Sequence, residues 1–329
     1  ILYFARKHSL YDTVNERKIH NGNIPRLGGV GIAFAFLATL IILTLLQTSL
    51  VDDFSEKYRI WPIFLSGAVM FLLGLLDDFI DLKARLKLLI QTLVAIFLIS
   101  FGYRFRVVMV PWGTGFLDIG IFSYPITLIW IIGITNAMNL IDGLDGLAGG
   151  ISIIASLTFG IFFWVSGQML SAEICMAIAG AAAGFLIFNL PPAVIFMGDS
   201  GSLFLGFCLA LLPLLGQKSN GAEIGMISAA TVLAIPIYDT FMAIYRRKKA
   251  HVSFFTADKG HFHHILLARL KSPKSVLLSI YGINMELALV ALSPLYLGPL
   301  PSFLLKIASL AAMAIFFLFM NRKGAAKPE

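Results

Sequence analysis

The sequence predicts an all-α polytopic membrane protein built as a single domain over residues 1–329, and three observations predict it. Hydrophobic residues make up 58% of the chain and charged ones 13%, against roughly 45–50% and 25% in an average soluble domain. Mean hydropathy is +0.88. The apolar residues also gather into windows long enough to cross a hydrocarbon core about 30 Å thick, which takes about 20 helical residues. Such windows cross as helices, because lipid offers no partner to an unpaired backbone N–H or C=O. One bundle can use the whole chain, since lipid rather than a water-excluding core takes up the apolar surface.

Ten windows qualify in order: 28–50, 59–76, 88–103, 123–141, 150–166, 173–190, 202–217, 224–244, 276–294 and 302–320. Ahead of them Ile1 to Ala5 is apolar and has no initiator Met, which reads as the tail of a further N-terminal helix, with no cleavable signal pattern. Between the third and fourth windows, 104–122 carries Pro111, Gly113, Gly115 and alternating apolar residues, and is expected to form a small β-hairpin. Cys175 and Cys208 both fall within apolar windows, so neither a disulfide framework nor a zinc site is indicated.

Alternating the loops places 6–27, 77–87, 142–149, 191–201, 245–275 and the tail after 320 on one side. That side holds 19 of the 25 Lys and Arg, leaving Lys57, Arg59, Arg104, Arg106, Lys218 and Lys306 for the other. The positive-inside rule puts the first set in the cytoplasm. It also explains the net charge of +7 and the run Arg246-Arg247-Lys248-Lys249 without recourse to nucleic acid, since such runs attract anionic lipid headgroups. No nucleic-acid partner is expected, and membrane lipid is.

The cytoplasmic segments hold every polar cluster that membrane insertion leaves unexplained. Asp77-Asp78-Phe79-Ile80-Asp81 directly follows the apolar run Phe64 to Leu76. Acids at bilayer depth cost at least ~2.5–3.5 kcal/mol each on insertion scales, so they point to function. The bland alternative, a solvated helix end, weakens because acids recur at Asp142/Asp145 and Asp199, always at a span end on one side. If the helix ending near Asn139 continues, Asp142 and Asp145, three residues apart, face the same way. Carboxylates from separate loops suit Mg²⁺, a hard ion that completes its octahedron with substrate phosphate and water. His261-Phe262-His263-His264, preceded by Lys259-Gly260, could bind a transition metal or be a polar loop. Beside basic residues and a carboxylate-bound ion, these imidazoles suit hydrogen bonds to a phosphate group better. Lys87 and Arg26 add charges of the same kind.

Six segments in order resemble the polyprenyl-phosphate N-acetylhexosamine-1-phosphate transferase family, within its bacterial undecaprenyl-phosphate GlcNAc-1-phosphate transferase subgroup. They are Pro25-Arg26-Leu27-Gly28-Gly29, the Asp77-Asp78 pair with Asp81-Leu82-Lys83, the block from Asn139 to Gly146, the block from Phe196 to Leu203, Ile235-Pro236-Ile237-Tyr238-Asp239, and the His-x-His-His cluster. The resemblance implies a membrane enzyme in which a polyprenyl phosphate attacks the sugar-proximal phosphorus of a UDP-sugar, releasing UMP. It implies Mg²⁺, or Mn²⁺ in its place, as cofactor. It further implies Asp199 as principal metal ligand and Asp145 as a second, and Asp77 or Asp78 as the group that deprotonates or positions the lipid phosphate, with a covalent nucleophile as the competing role. Lys87, Arg26 and His261, His263 and His264 become contacts to diphosphate or sugar, and Asn139, Asp142 and Asn189 line the site. A bacterial inner-membrane location with a cytoplasmic active site, and a homodimer, fit the same resemblance.

Relatives acting on UDP-MurNAc-pentapeptide resemble Gly-Thr-Pro-Thr-Met-Gly-Gly in the first loop and carry three consecutive histidines. This chain has Asn23-Ile24-Pro25-Arg26-Leu27-Gly28-Gly29 and the Phe262 interruption, more like the GlcNAc-1-phosphate subgroup that primes teichoic acid, lipopolysaccharide O-antigen or enterobacterial antigen chains. Two other classes compete. An intramembrane prenyltransferase would explain the spacing of Asp77, Asp78 and Asp81 but neither the histidines nor Asp199. A transporter would place its polar residues at mid-span on broken helices.

Overall fold

The computed structural model describes residues 24–47, 60–111, 116–216, 225–253 and 260–322. The expected helix remnant at Ile1 to Ala5, the turn residue Gly113 and Lys259 lie outside these. Twelve α-helices follow one another among the described residues: α1 (Gly28–Gln47), α2 (Ile60–Ile80), α3 (Ala84–Ser100), α4 (Ser123–Ile141), α5 (Leu147–Val165), α6 (Met169–Asn189), α7 (Gly198–Leu215), α8 (Met226–Val232), α9 (Ala234–Lys249), α10 (Phe262–Leu270), α11 (Pro273–Ala291) and α12 (Pro299–Arg322). Between α3 and α4 the expected hairpin forms from β1 (Val107–Met109) and β2 (Phe116–Asp118), antiparallel with Val108 opposite Leu117. The protein is an all-α, multi-pass membrane protein: eight helices are long and apolar enough to cross a bilayer, and a bent pair could make a ninth.

Eight of the ten expected windows are single long helices among the described residues, and the other two are built differently. The window at 88–103 is α3, which has 17 residues and begins amid Lys83, Arg85 and Lys87. At 1.5 Å per residue it is about 26 Å long, at the lower limit for a crossing helix, and its basic first turn belongs to the surface. The window at 224–244 is α8 and α9, bent by 81°. Pro236 causes the break, because it has no N–H to return to the carbonyl of Val232. Asn284, fully buried on α11, donates its Nδ2 to that orphaned carbonyl at 2.9 Å. α9 leaves the bend as a polar helix that ends in Arg246, Arg247, Lys248 and Lys249.

α7 is the centre of the bundle. Every residue in it except Asp199 is buried, as its apolar circumference requires. Lipid is as apolar as a side chain, so close approach and hydrogen bonds rather than water exclusion hold the helices together. Gly74 of α2 lies against the carbonyl of Asp199, and Gly206 of α7 lies so near α4 that a Cβ would sit 2.7 Å from the Thr135 carbonyl. Trp130 of α4 donates its Nε1 to the Ala210 carbonyl at 2.9 Å. Around this axis α1, α2 and α4 pack directly, α5 and α6 form a hairpin, and α11 and α12 close the far side.

Candidate active site

The N-terminus of α7 has to satisfy N–H groups that no earlier helical turn can reach. Asp78, at the end of α2, does this from 121 residues away: its Oδ1 accepts the Asp199 N–H at 2.7 Å and its Oδ2 the Ser200 N–H at 2.9 Å. A carboxylate there also meets the positive end of the helix dipole. The fit requires glycine at 198, where φ is +71° and a Cβ would lie 2.5 Å from the Arg26 carbonyl and 2.7 Å from Asp78. The chain around Arg26 is laced to the same turn, with Phe196 donating to Pro25 (2.8 Å), Gly28 to Phe196 (2.9 Å) and Gly29 to Met197 (2.8 Å). Asn139 of α4 completes the setting, giving its Nδ2 to Asp199 Oδ1 at 2.5 Å and to Ser202 Oγ at 2.8 Å.

Asp77 is held differently, although it is the next residue. Its side chain is 1% exposed, and Lys87 of α3 donates to its Oδ2 at 2.6 Å. The chain reverses through Asp81 in the left-handed region (φ +53°), a conformation aspartate tolerates better than most side chains. That reversal returns the Leu82 N–H to Asp77 Oδ1 at 2.8 Å and starts α3 so that Lys87 faces back. The pair stands within electrostatic reach of Asp199, as does Arg26.

Asp142 and Asp145 do not share a helical face. α4 stops at Ile141, Asp142 takes a non-helical conformation (φ −74°, ψ 49°), and a tight loop carries both acids. Asp145 Oδ2 accepts the Ala193 N–H at 3.1 Å. Asn189 accepts the Gly146 N–H and donates to the Ile195 carbonyl, both at 2.8 Å, so its amide ties the two loops together. Burial, then the charges of Asp199 and Asp145, push the Asp142 carboxyl up to about 7, against the pull of Arg26.

The histidines reach this loop from the other side. His263 is 2% exposed and packs on Gly143, where a Cβ would lie 2.7 Å from its Nε2. Neither of its ring nitrogens has a hydrogen-bond partner. Burial, then the neighbouring His264, pull its pKa down to about 3, so it is neutral at physiological pH. The ring of His261 lies parallel to that of His263, 5.7 Å away. His264 tilts against His263 at 4.3 Å. Asp239, which the sequence shows only as the end of a motif, binds the cluster to α9: its Oδ2 is 2.7 Å from His261 Nδ1 and its Oδ1 accepts the Phe262 N–H at 3.0 Å. An acid within an otherwise apolar stretch was the signal for it.

Residues 60–217 match glycosyl transferase family 4. Over 288 residues the chain is 36% identical to the probable undecaprenyl-phosphate N-acetylglucosaminyl 1-phosphate transferase of Bacillus subtilis, covering 88% of this chain and 78% of that protein. It is 32% identical over 286 residues to the undecaprenyl-phosphate alpha-N-acetylglucosaminyl 1-phosphate transferase of Yersinia pestis (81% and 73%). The enzyme of that name from Escherichia coli K12 is 31% identical over 279 residues (81% and 72%). With its acids, cations and histidines drawn to one end of a helical bundle and relatives covered over most of their length, the chain belongs to the polyprenyl-phosphate N-acetylhexosamine-1-phosphate transferases and is a membrane-bound transferase.

Proposed function

We propose that the protein transfers GlcNAc-1-phosphate from UDP-GlcNAc to undecaprenyl phosphate, giving undecaprenyl-diphosphate-GlcNAc and UMP. The acceptor follows the names of the relatives. The observation that carries the reading is the Asp77–Lys87 pair at 2.6 Å beside Asp199. Exposed Leu76, Phe79, Ile80, Leu86 and Leu89 flank that pair and offer a lipid chain an apolar surface. In the reaction a lipid phosphate oxygen bonds to the sugar-bound phosphorus while the bond from that phosphorus to UMP breaks. Both partners are anionic, so alignment and charge neutralisation dominate. Lys87 and Arg26 supply positive charge. Asp77, paired with Lys87, or Asp78, held by two α7 N–H groups, orients or deprotonates the lipid phosphate.

A hard divalent cation fits the residues present. Burial, then the negative charges of Asp199 and Asp145, push Asp142 up, as expected where carboxylates gather. Mg²⁺ takes one or two protein carboxylates and leaves the remaining positions to phosphate and water. Asp199 and Asp145 would hold it. When bound, the ion would offset the charge of the diphosphate. In the sequence, the loops that carry these acids and histidines hold 19 of the 25 Lys and Arg, which supports a cytoplasmic face of the bacterial inner membrane.

The test is UMP release by purified protein in detergent from UDP-GlcNAc, with and without undecaprenyl phosphate and Mg²⁺. Release that needs both supports the reading. No release from UDP-GlcNAc, with release from another UDP-N-acetylhexosamine or UDP-MurNAc-pentapeptide, would replace the donor. Silence with every UDP-sugar would overturn it.

A further inference from the structure

We infer that Asp239 is a positioning residue that fixes the ring of His261 for the sugar-nucleotide donor, and that His261 and His263 are therefore not interchangeable. Asp239 is 2% exposed on α9, where a carboxylate without partners would be costly. Both its oxygens are engaged, and both partners belong to the histidine segment. Oδ1 accepts the N–H of Phe262, the first residue of α10, and so secures the start of that helix. Oδ2 is 2.7 Å from His261 Nδ1. A carboxylate can only accept there, so the proton of a neutral His261 is placed on Nδ1. With Nδ1 engaged in this way, Nε2 is the ring nitrogen on the opposite edge.

His263 has no such anchor. It is neutral, its nitrogens are unpartnered, and it fills the space over Gly143. Parallel stacking of His261 on His263 transmits the fixed orientation of one ring to the wall of the acid loop. A donor diphosphate bound over that loop meets His261 Nε2 on a ring that cannot swing away. The 81° bend at Leu233 makes this geometry, since it swings α9 across the end of α4.

The inference rests on the transferase reading above, and its test separates the two. Nitrogen-15 NMR of histidine-labelled protein in detergent, with no substrate added, reads the His261 ring directly. We expect Nδ1 to carry the proton in the wild type and the tautomer or exchange behaviour of that one signal to change in Asp239→Asn. A His261 signal that matches a freely exchanging imidazole in the wild type would overturn the assignment, whatever the enzyme's activity. Kinetics then reads function. Asp239→Asn keeps an acceptor for Phe262 and should lower kcat/KM for UDP-GlcNAc about 10- to 100-fold, the range of one hydrogen bond to a charged group. KM for undecaprenyl phosphate should move less than twofold. The double variant with His261→Gln should be no worse than His261→Gln alone. Multiplying losses, or equal losses toward both substrates, would show Asp239 acting only on the fold. Wild-type protein inactive with all UDP-sugars would instead sink the transferase reading and leave the NMR result standing.

Discussion

The two walls of the site are built in contrasting ways. The acid floor is clamped by packing. Asp78 is bound to two backbone N–H groups, Asp77 to a third and to Lys87, and Asp199 to Asn139, and the helices beneath them touch through Gly74 and Gly206. The histidine wall is an added helix: Asp239 of α9, a polar helix beyond a bend, holds its first residues, Phe262 packs on Phe317 of α12, and Arg269 donates to Met320. Four helices converge on the floor, whereas the wall is a short helix joined to its neighbours by side-chain contacts, with Asp239 alone holding the His261 ring. Under the proposed reaction, such a division suits a lipid substrate that arrives along the bilayer surface and a nucleotide donor that enters and leaves.

The sharpest way to break this contrast is to remove a charge from the floor. Asp199→Asn should keep the Asn139 contact and the melting temperature while lowering UMP release by about 10³-fold, the scale of a lost electrostatic element at a reacting phosphate. A mild loss would mean that the floor is only scaffold. Next comes Lys87→Met, which leaves Asp77 buried with no cation. Breaking a buried pair on one side costs about 3–5 kcal/mol, and the thermal midpoint should fall accordingly. Adding Asp77→Asn should restore stability without restoring activity. Asp78→Ala removes the acceptor for two helix N–H groups and should cost about 1–2 kcal/mol, as other capping losses do. Its effect on activity should track that loss of order in α7.

The smallest expected effect lies in the other wall. Burial holds His263 near 3 in the folded protein, below the ordinary 6.5. Below about pH 6.5 the unfolded chain therefore takes up a proton that the folded protein refuses. Stability from this group is complete above about pH 7 and is lost as pH falls toward 3, at up to about 1.4 kcal/mol per pH unit. His263→Gln should flatten the fall in melting temperature between pH 7 and 5. An unchanged slope would mean that His263 is already charged or exposed.

Much of the floor was legible in the sequence because charge in a membrane chain is conspicuous. Asp77, Asp78, Asp199 and Lys87 stand out against apolar runs, and loop alternation alone brings them to one side. Their division of labour was not legible, since only tertiary structure shows that Asp78 caps a helix that begins 120 residues later. The bend at 233 was half visible. Pro236 announces a missing hydrogen bond, but its remedy, Asn284, comes from another helix. Asp142 and Asp145 would share a face only if the helix continued, and it stops at Ile141 ahead of both. Asp239 was hidden because its partner, His261, lies 22 residues away.

The most direct test of the central claim follows the phosphorus itself. UDP-GlcNAc labelled at the sugar-proximal phosphate is given to the purified protein with undecaprenyl phosphate and Mg²⁺, and label is counted in the organic phase alongside UMP in the aqueous phase. The account predicts label in lipid equal to UMP released, both abolished in Asp199→Asn. UMP without labelled lipid, or labelled lipid formed unchanged by Asp199→Asn, would contradict it.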